Sequence, residues 1–420
     1  MKYIRIFFIL LVLSMVIFSC SEEKLILFSD QDEIPVGALL SLTGSWVSLG
    51  ESSQEALEYG ITEINAYMEE LGYSTRFKLY IEDTQTDPEI ALQKLKSLHS
   101  RNIKAVIGPQ ASSEVSACKE YADANDILLI SHSSTAHSLA IEDDNIFRFC
   151  SDDQHEGKAV AQLMWEDGIR AVVPAWRNDA GNSGLHDATK ANIESLGGTV
   201  YDGSMYAANT VDFSDVIAAL KAQLTQAINQ YGTDRVAVYI AAFDEIVTLF
   251  NQVDNDSVLS SVRWYGSDGV ALSAGLITDT EAAQFAVSVG YPNPIYGFDQ
   301  DALDKYQPIV DIIAAKINRQ PDAFTLAAYD ALWVLAQTYI DSEISDDFSI
   351  FKKSFIRNAT SYFGTTGWTI LNEAGDRKYG NYDFWSVTET NGAFAWQLVA
   401  TYQFDPGGPG QLIRFLSFFF

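Results

Sequence analysis

The strongest constraint on this chain is an alternation of short apolar runs with amphipathic stretches, repeated from about residue 36 to residue 265. Val36–Leu42 (VGALLSL) reads as a buried strand. The stretch after it carries Leu57, Ile61, Ile64, Met68 and Leu71 at 4-3-4-3 spacing, one face of a helix. Phe77–Glu82 predicts a second strand. Asp87-Pro88 then opens a helix, with Asp as N-cap and Pro in the first turn. Strand Ala105–Ile107, a helix from about Ser113 to Ala124, and strand Ile127–Ser131 continue the series. Strands separated by helices must pair in parallel, with helices covering both faces of the sheet.

After Ile146–Cys150 the pattern restarts. Helices Gln154–Glu166, Ser183–Leu196, Phe213–Asn229 and Asp244–Val253 alternate with strands Ala171–Ala175, Thr199–Tyr201, Val236–Ala241 and Val262–Tyr265. Two doubly wound α/β units result, roughly 33–150 and 151–284. Ala286–Val289 begins a third section, too small for a domain. It continues with helices Asp301–Asn318, Asp322–Ile340 and Phe348–Asn358 and strand-like Trp368–Leu371, Tyr382–Thr388 and Phe394–Tyr402. Such a region adds elements to existing units, so the chain is expected to cross between two lobes more than once. About 285–363 is assigned to the first lobe and about 364–405 to the second. The tail 406–420, ending in LSFFF, fits neither and is too short and broken to span a bilayer.

The first 20 residues, MKYIRIFFILLVLSMVIFSC, are an address. Lys2 and Arg5 precede an apolar run from Phe7 to Phe18, shorter than the roughly 20 residues a membrane span needs. Ile17-Phe18-Ser19-Cys20 resembles a bacterial lipoprotein cleavage box, which implies lipid on Cys20 and a short tether over 21–32. Plain secretion and an uncleaved anchor are the alternatives, and all three export the chain. Cys118 and Cys150 then remain, either as two separate buried thiols or as a pair. With 27 Lys+Arg against 56 Asp+Glu, the net charge of −29 repels phosphate backbones and argues against nucleic acid as a partner.

Open parallel sheets bind ligands beyond the carboxyl ends of their strands. There the first unit offers Thr43-Gly44-Ser45-Trp46, Gln110-Ala111-Ser112-Ser113 and His132-Ser133-Ser134-Thr135. Hydroxyls and free N–H groups at helix starts suit a carboxylate. The second unit offers Asp179, Phe243, Asp244 and Asp268, which suit an ammonium beside an apolar group. A small zwitterion between the units satisfies both. Taken singly, each residue has a plainer reading: the serines, threonine and aspartates as helix caps or turn residues, Trp46 and Phe243 as core aromatics.

The ordered set VGALLSLTGSWVSLGESSQEALEYGITEIN, IEDTQTDPEIALQKL, AVIGPQASSEV, ILLISHSSTAHSLA, WRNDAGNSGL, WYGSDGV, FTLAAYDALWVLA and TGWTILNEAGDRKYGNYDFWSV resembles type I periplasmic binding proteins of the Leu/Ile/Val-binding family over residues 33–400. The resemblance implies two lobes closing about a three-segment hinge, and an extracytoplasmic receptor that hands a small-molecule ligand to ABC permease and ATPase subunits. By position, it implies Ser112 and Ser133 to Thr135 as carboxylate ligands, Asp268 as the ammonium acid, and Trp46 and Phe243 as aromatic walls. Asp179 and Ser113 complete the candidate set. Gly181 departs from the pattern, standing where an aromatic often closes the pocket, and Phe243 lacks a Tyr hydroxyl.

No GxSxG, GxxxxGK[ST] or HExxH motif occurs, and His132 and His137 are five apart, wrong for one helical face. Neither catalysis, a cofactor nor a metal is expected. A sensory module on the same fold and, further off, an amide-type hydrolase are the other readings.

Overall fold

The computed structural model describes residues 33–253, 256–342, 347–405, 408 and 410–415. The proposed leader, Cys20 and tether lie outside them, as do the final phenylalanines.

In the first unit, strands β1 (Glu33–Leu40), β2 (Arg76–Asp83), β3 (Ala105–Ile107), β4 (Leu128–Ser131) and β5 (Ile146–Arg148) form a parallel sheet in the order β2-β1-β3-β4-β5. Helices α1 (Val47–Glu70), α2 (Pro88–Ser100) and α3 (Ser112–Ala124) connect them. Both faces of β1 are buried because apolar residues occupy both phases of its alternation. Val36, Ala38 and Leu40 pack on Leu57 and Ile64 of α1, while Leu39 packs with Leu95, Leu98 and Val115 of α2 and α3. The Asp87 carboxylate accepts from the N–H groups of Glu89 and Ile90, starting α2 as its sequence predicts.

The second unit follows. Helix α4 (Asp153–Glu166) leads to β6 (Ala171–Arg177), and α5 (Ala180–Ser195) to β7 (Thr199–Val200) and β8 (Ser204–Tyr206). Helix α6 (Ser214–Tyr231) leads to β9 (Val236–Ala241), and α7 (Ile246–Val253) to β10 (Arg263–Tyr265). The parallel order is β10-β9-β6-β7, with β8 also on β6. Strand β8 has no apolar run to announce it. Val236, Val238 and Ile240 face Leu220, Leu224, Leu249 and Phe250, and Ala237 and Tyr239 face Met164, Leu185 and Ile193.

Helices α8 (Ala274–Thr278) and α9 (Thr280–Val289) come next, so Ala286–Val289 is the last turn of a helix and not the start of a new section. Ala282 and Ala286 pack in the core of the second sheet. Strand β11 (Asn293–Tyr296) then pairs with a strand about 90 residues later. Helices α10 (Leu303–Ile317), α11 (Ala323–Asp341) and α12 (Phe348–Ser361) return to the first unit, where Ala328, Leu332, Leu335 and Phe355 join its core.

A short hairpin, β12 (Phe363–Gly364) with β13 (Gly367–Trp368), precedes the last crossing. Strands β14 (Tyr382–Thr390) and β15 (Ala393–Gln403) form an antiparallel sheet with β11, and Phe384, Val399 and Tyr402 pack on the second unit. The tail corrects an expectation: Gln411–Arg414 is a further strand, β16, paired antiparallel with Ala400–Gln403. The chain is therefore an α/β protein of two sheet units linked by three crossings.

One buried ion pair locks two of those crossings together. Arg148, at the end of β5, reaches both carboxylate oxygens of Asp376 at 2.5 and 2.6 Å. The backbones join alongside, with Arg148 N–H on Gly375 C=O and Arg377 N–H on Arg148 C=O. Cys118 and Cys150 are both buried free thiols, so the paired alternative is not realised.

Candidate functional site

The strand ends of the two units meet across a narrow cleft with a small cavity between them. Trp46, Ser112, Ser133 and Thr135 line it from the first unit; Gly181, Asn182, Leu185, Phe243 and Asp268 line it from the second.

Trp46 precedes the first turn of α1, where the chain must fold tightly. Gly44 has φ +97°, and a Cβ there would stand 2.1 Å from the Gln85 carbonyl oxygen, so only glycine fits. The Trp46 N–H donates to Thr86 Oγ1 at 3.2 Å. Its ring stacks on Phe243 of the other unit, centroids 4.7 Å apart and planes at 23°. Two hydrogen bonds tie the same mouth: Asp244 N–H to Ser45 C=O at 3.0 Å and Ala274 N–H to Ser48 Oγ at 3.0 Å. The Arg177 guanidinium lies 5.1 Å from the Phe243 ring centroid.

Ser112 is the first residue of α3, so its side chain sits where helical N–H groups lack intrahelical partners. Its Oγ accepts from Ser134 Oγ at 3.0 Å and from the Ala136 N–H at 3.1 Å. Ser133 Oγ donates to Gln110 C=O at 3.1 Å, and the Gln110 side chain in turn holds the Ser41 N–H at 2.7 Å. Ser134 therefore supports Ser112 without lining the cavity, and Ser113 does not line it either.

Asp179 also stands behind the wall. It caps α5 through the Asn182 N–H at 2.9 Å and is gripped by Arg177 Nε at 2.8 Å. Arg177 is held on its other side by Glu245 at 3.2 Å. At Gly181, a Cβ would come within 3.4 Å of Ser112 Oγ, so the glycine keeps this part of the cleft narrow yet open.

Asp268 follows β10 and is almost fully buried. Its backbone N–H donates to Glu156 Oε1 at 3.2 Å. Burial pushes the Asp268 carboxyl up to about 7. Burial likewise raises Asp153 to about 8, and raises Glu156 well above the carboxylate range with help from the charges of Asp268 and Asp153. Glu156 Oε2 and Asp153 Oδ1 have no hydrogen-bond partner. Sequence alone does not point to Glu156, Asp153 or Asn182. Asp153 and Glu156 read as ordinary first-turn helix acids, and nothing local in the sequence says that they face inward. Among the described residues, no three His, Cys, Asp or Glu side chains are arranged to hold a metal ion.

One wall thus carries hydroxyls and a helix start, the other a carboxyl group and acceptors, with aromatic rings closing the mouth. Residues 52–390 match the family described as the receptor family ligand binding region. The chain belongs to that family. It is 32% identical over 398 residues to an uncharacterized protein of Methanocaldococcus jannaschii, covering 90% of this chain and 92% of the relative. Among solved structures, the receptor-family fold seen here is similar to a branched-chain amino acid transporter substrate-binding protein, LivJ of Streptococcus pneumoniae, in complex with isoleucine (TM-score 0.71, 20% identity, 88% of this chain and 99% of that one). It is also similar to the leucine-binding protein LivK of Thermotoga maritima (TM-score 0.70, 20% identity, 87% and 97%). The fold is that of type I periplasmic binding proteins. No helix among the described residues is long and apolar enough to cross a membrane.

Proposed function

We propose that this chain is an extracytoplasmic substrate-binding lipoprotein of an ABC importer, holding an amino acid or related small zwitterion between its two units. The observation that carries the reading is the division of one cavity's lining: Ser112, Ser133 and Thr135 on one wall, Asp268 on the other, Trp46 against Phe243 at the mouth. The solute's carboxylate meets the hydroxyls and the start of α3, and its ammonium meets Asp268. Similarity to binding proteins that hold isoleucine or leucine supports the same class of ligand. The lipobox-like Ile17-Phe18-Ser19-Cys20 supports a lipid anchor at the outer face of the cell membrane.

In this reading the division into lobes is 33–150 with the returning helices, and 151–296 with the final sheet. Handing solute to permease and ATPase subunits requires no chemistry, and the cleft offers no nucleophile beside a base. A sensory role on the same fold differs only in the partner that reads occupancy. A thermal-shift screen of amino acids, amides and carboxylates tests the reading, because a ligand that binds only the folded form raises its melting temperature. A zwitterion should give the largest shift, and the recovered solute should be unchanged. A flat response to every zwitterion, or turnover of the solute, would sink the reading.

A further inference from the structure

We propose that Asn182 is a ligand-binding residue whose amide oxygen takes one N–H of the solute's ammonium, beside the Asp268 carboxyl group. The inference rests on the zwitterion reading above and adds a second acceptor to it, which narrows the ligand to a primary amine.

Asn182 lies in the first turn of α5, is 1% exposed and lines the cavity. Its Oδ1 has no hydrogen-bond partner. A buried amide oxygen left unpaired costs free energy, so such an atom at a cavity wall marks a place where a donor belongs. The orientation of the amide is not arbitrary. Its Nδ2 donates to both oxygens of Asp179, at 3.1 and 3.0 Å. Turning the group over would set the amide oxygen against that carboxylate, so the nitrogen is committed to Asp179 and the oxygen to the other side.

Asp179 cannot swing away to relieve the arrangement. Arg177 holds it at 2.8 Å, the Asn182 N–H caps it at 2.9 Å, and Glu245 holds Arg177 at 3.2 Å. The Asn182 oxygen is therefore the outer end of a relay anchored three residues deep. Donation to a carboxylate also polarises the amide and makes its oxygen a stronger acceptor. Asp179 accordingly acts on the solute through Asn182, as a positioning residue.

The chemistry of the wall selects the ligand group. Asp268, when charged, and Asn182 Oδ1 both accept and neither donates. A primary ammonium brings three N–H donors and satisfies both with one to spare. A deaminated acid brings none and leaves a buried acceptor unpaired, a mismatch that hydrogen-bonding sites reject strongly.

The test compares the full chain with its Asn182→Leu and Asn182→Ala variants. Melting without solute establishes that each variant folds. The probes are the tightest binder among the twenty L-amino acids, measured by calorimetry, and its deaminated acid, measured by ligand-observed NMR. Loss of one charge-assisted hydrogen bond should weaken the amino acid about tenfold or more, and the deaminated acid less than about twofold. An unchanged affinity for the amino acid, or an equal loss for both probes, would overturn the role of Asn182 while leaving the zwitterion reading intact. Failure of all twenty amino acids to bind the unaltered chain would overturn that reading, and this inference with it.

Discussion

Trp46 of the first unit stacks on Phe243 of the second, with 4.7 Å between ring centroids. The pair joins the two units that the chain links through three crossings, so its free energy holds one unit against the other rather than stabilising either unit's own core. Around it lie Leu49 and Phe324 from one side and Ala271 from the other, a small apolar cluster at the mouth.

Phe243→Leu keeps apolar bulk and removes the ring stack. Aromatic pairs contribute about 0.5–1.5 kcal/mol beyond their buried area. Affinity for the amino acid that most stabilises the chain should fall by a corresponding factor of about two to ten. The melting temperature without solute should barely move. Calorimetry and a thermal scan check the two halves separately.

Asp268→Asn removes the charged acceptor proposed for the ammonium, and binding should weaken by about 1.5–3 kcal/mol. Ser112→Ala removes one hydroxyl and should cost about 1 kcal/mol. Calorimetry that finds either variant binding with unaltered affinity takes that residue out of the site.

Protons should oppose the solute. Burial holds Asp268 protonated up to about 7, so below neutrality an ammonium must displace a proton before it meets a carboxylate. Affinity should therefore rise between pH 6 and pH 8, with proton release on binding visible as a dependence of the calorimetric heat on buffer. The stability of the solute-free chain runs the other way. Asp268 and Asp153 have folded values of about 7 and 8, against 3.8 ordinarily. Their contribution is fully present below pH 4 and is lost as pH rises through 7 and 8. Denaturant midpoints measured across that range, with Asp268→Asn as the control, check the sign.

Asp376→Ala leaves Arg148 buried with no anionic partner. Both side chains are essentially inaccessible to solvent, at 0% and 2% exposure. Stranding one charge of a buried pair costs about 3–5 kcal/mol. Urea unfolding should show a loss of that size. A loss below about 1 kcal/mol would mean that Arg148 finds water or another partner.

Much of the architecture was legible because its signals are local. Short continuous apolar runs and 3.6-residue apolar periods placed the parallel strands and helices of both units within a few residues, and Asp87-Pro88 marked a helix start at the right position. Strand β8 and the β16 pairing were not legible: Ser204–Tyr206 carries no apolar run, and Gln411–Arg414 is a strand only because Ala400–Gln403 offers it an edge.

For the site, chain order alone named Trp46, Ser112, Ser133, Thr135, Phe243 and Asp268 as strand-end residues, and the fold sets them around one cavity. It also named Ser113, Ser134 and Asp179, which the fold turns aside or places one step behind. Sequence by itself determined the class of fold, since the period of an apolar pattern is a property of neighbouring residues. Tertiary structure alone decided that Asp153, Glu156 and Asp268 are buried side by side, that Asn182 lines the cavity with its amide oxygen unpaired, and that Arg148 meets Asp376 across 228 residues. Such contacts join side chains whose distance along the chain has no regular period, and their protonation and orientation are set by burial, which only the packed molecule creates.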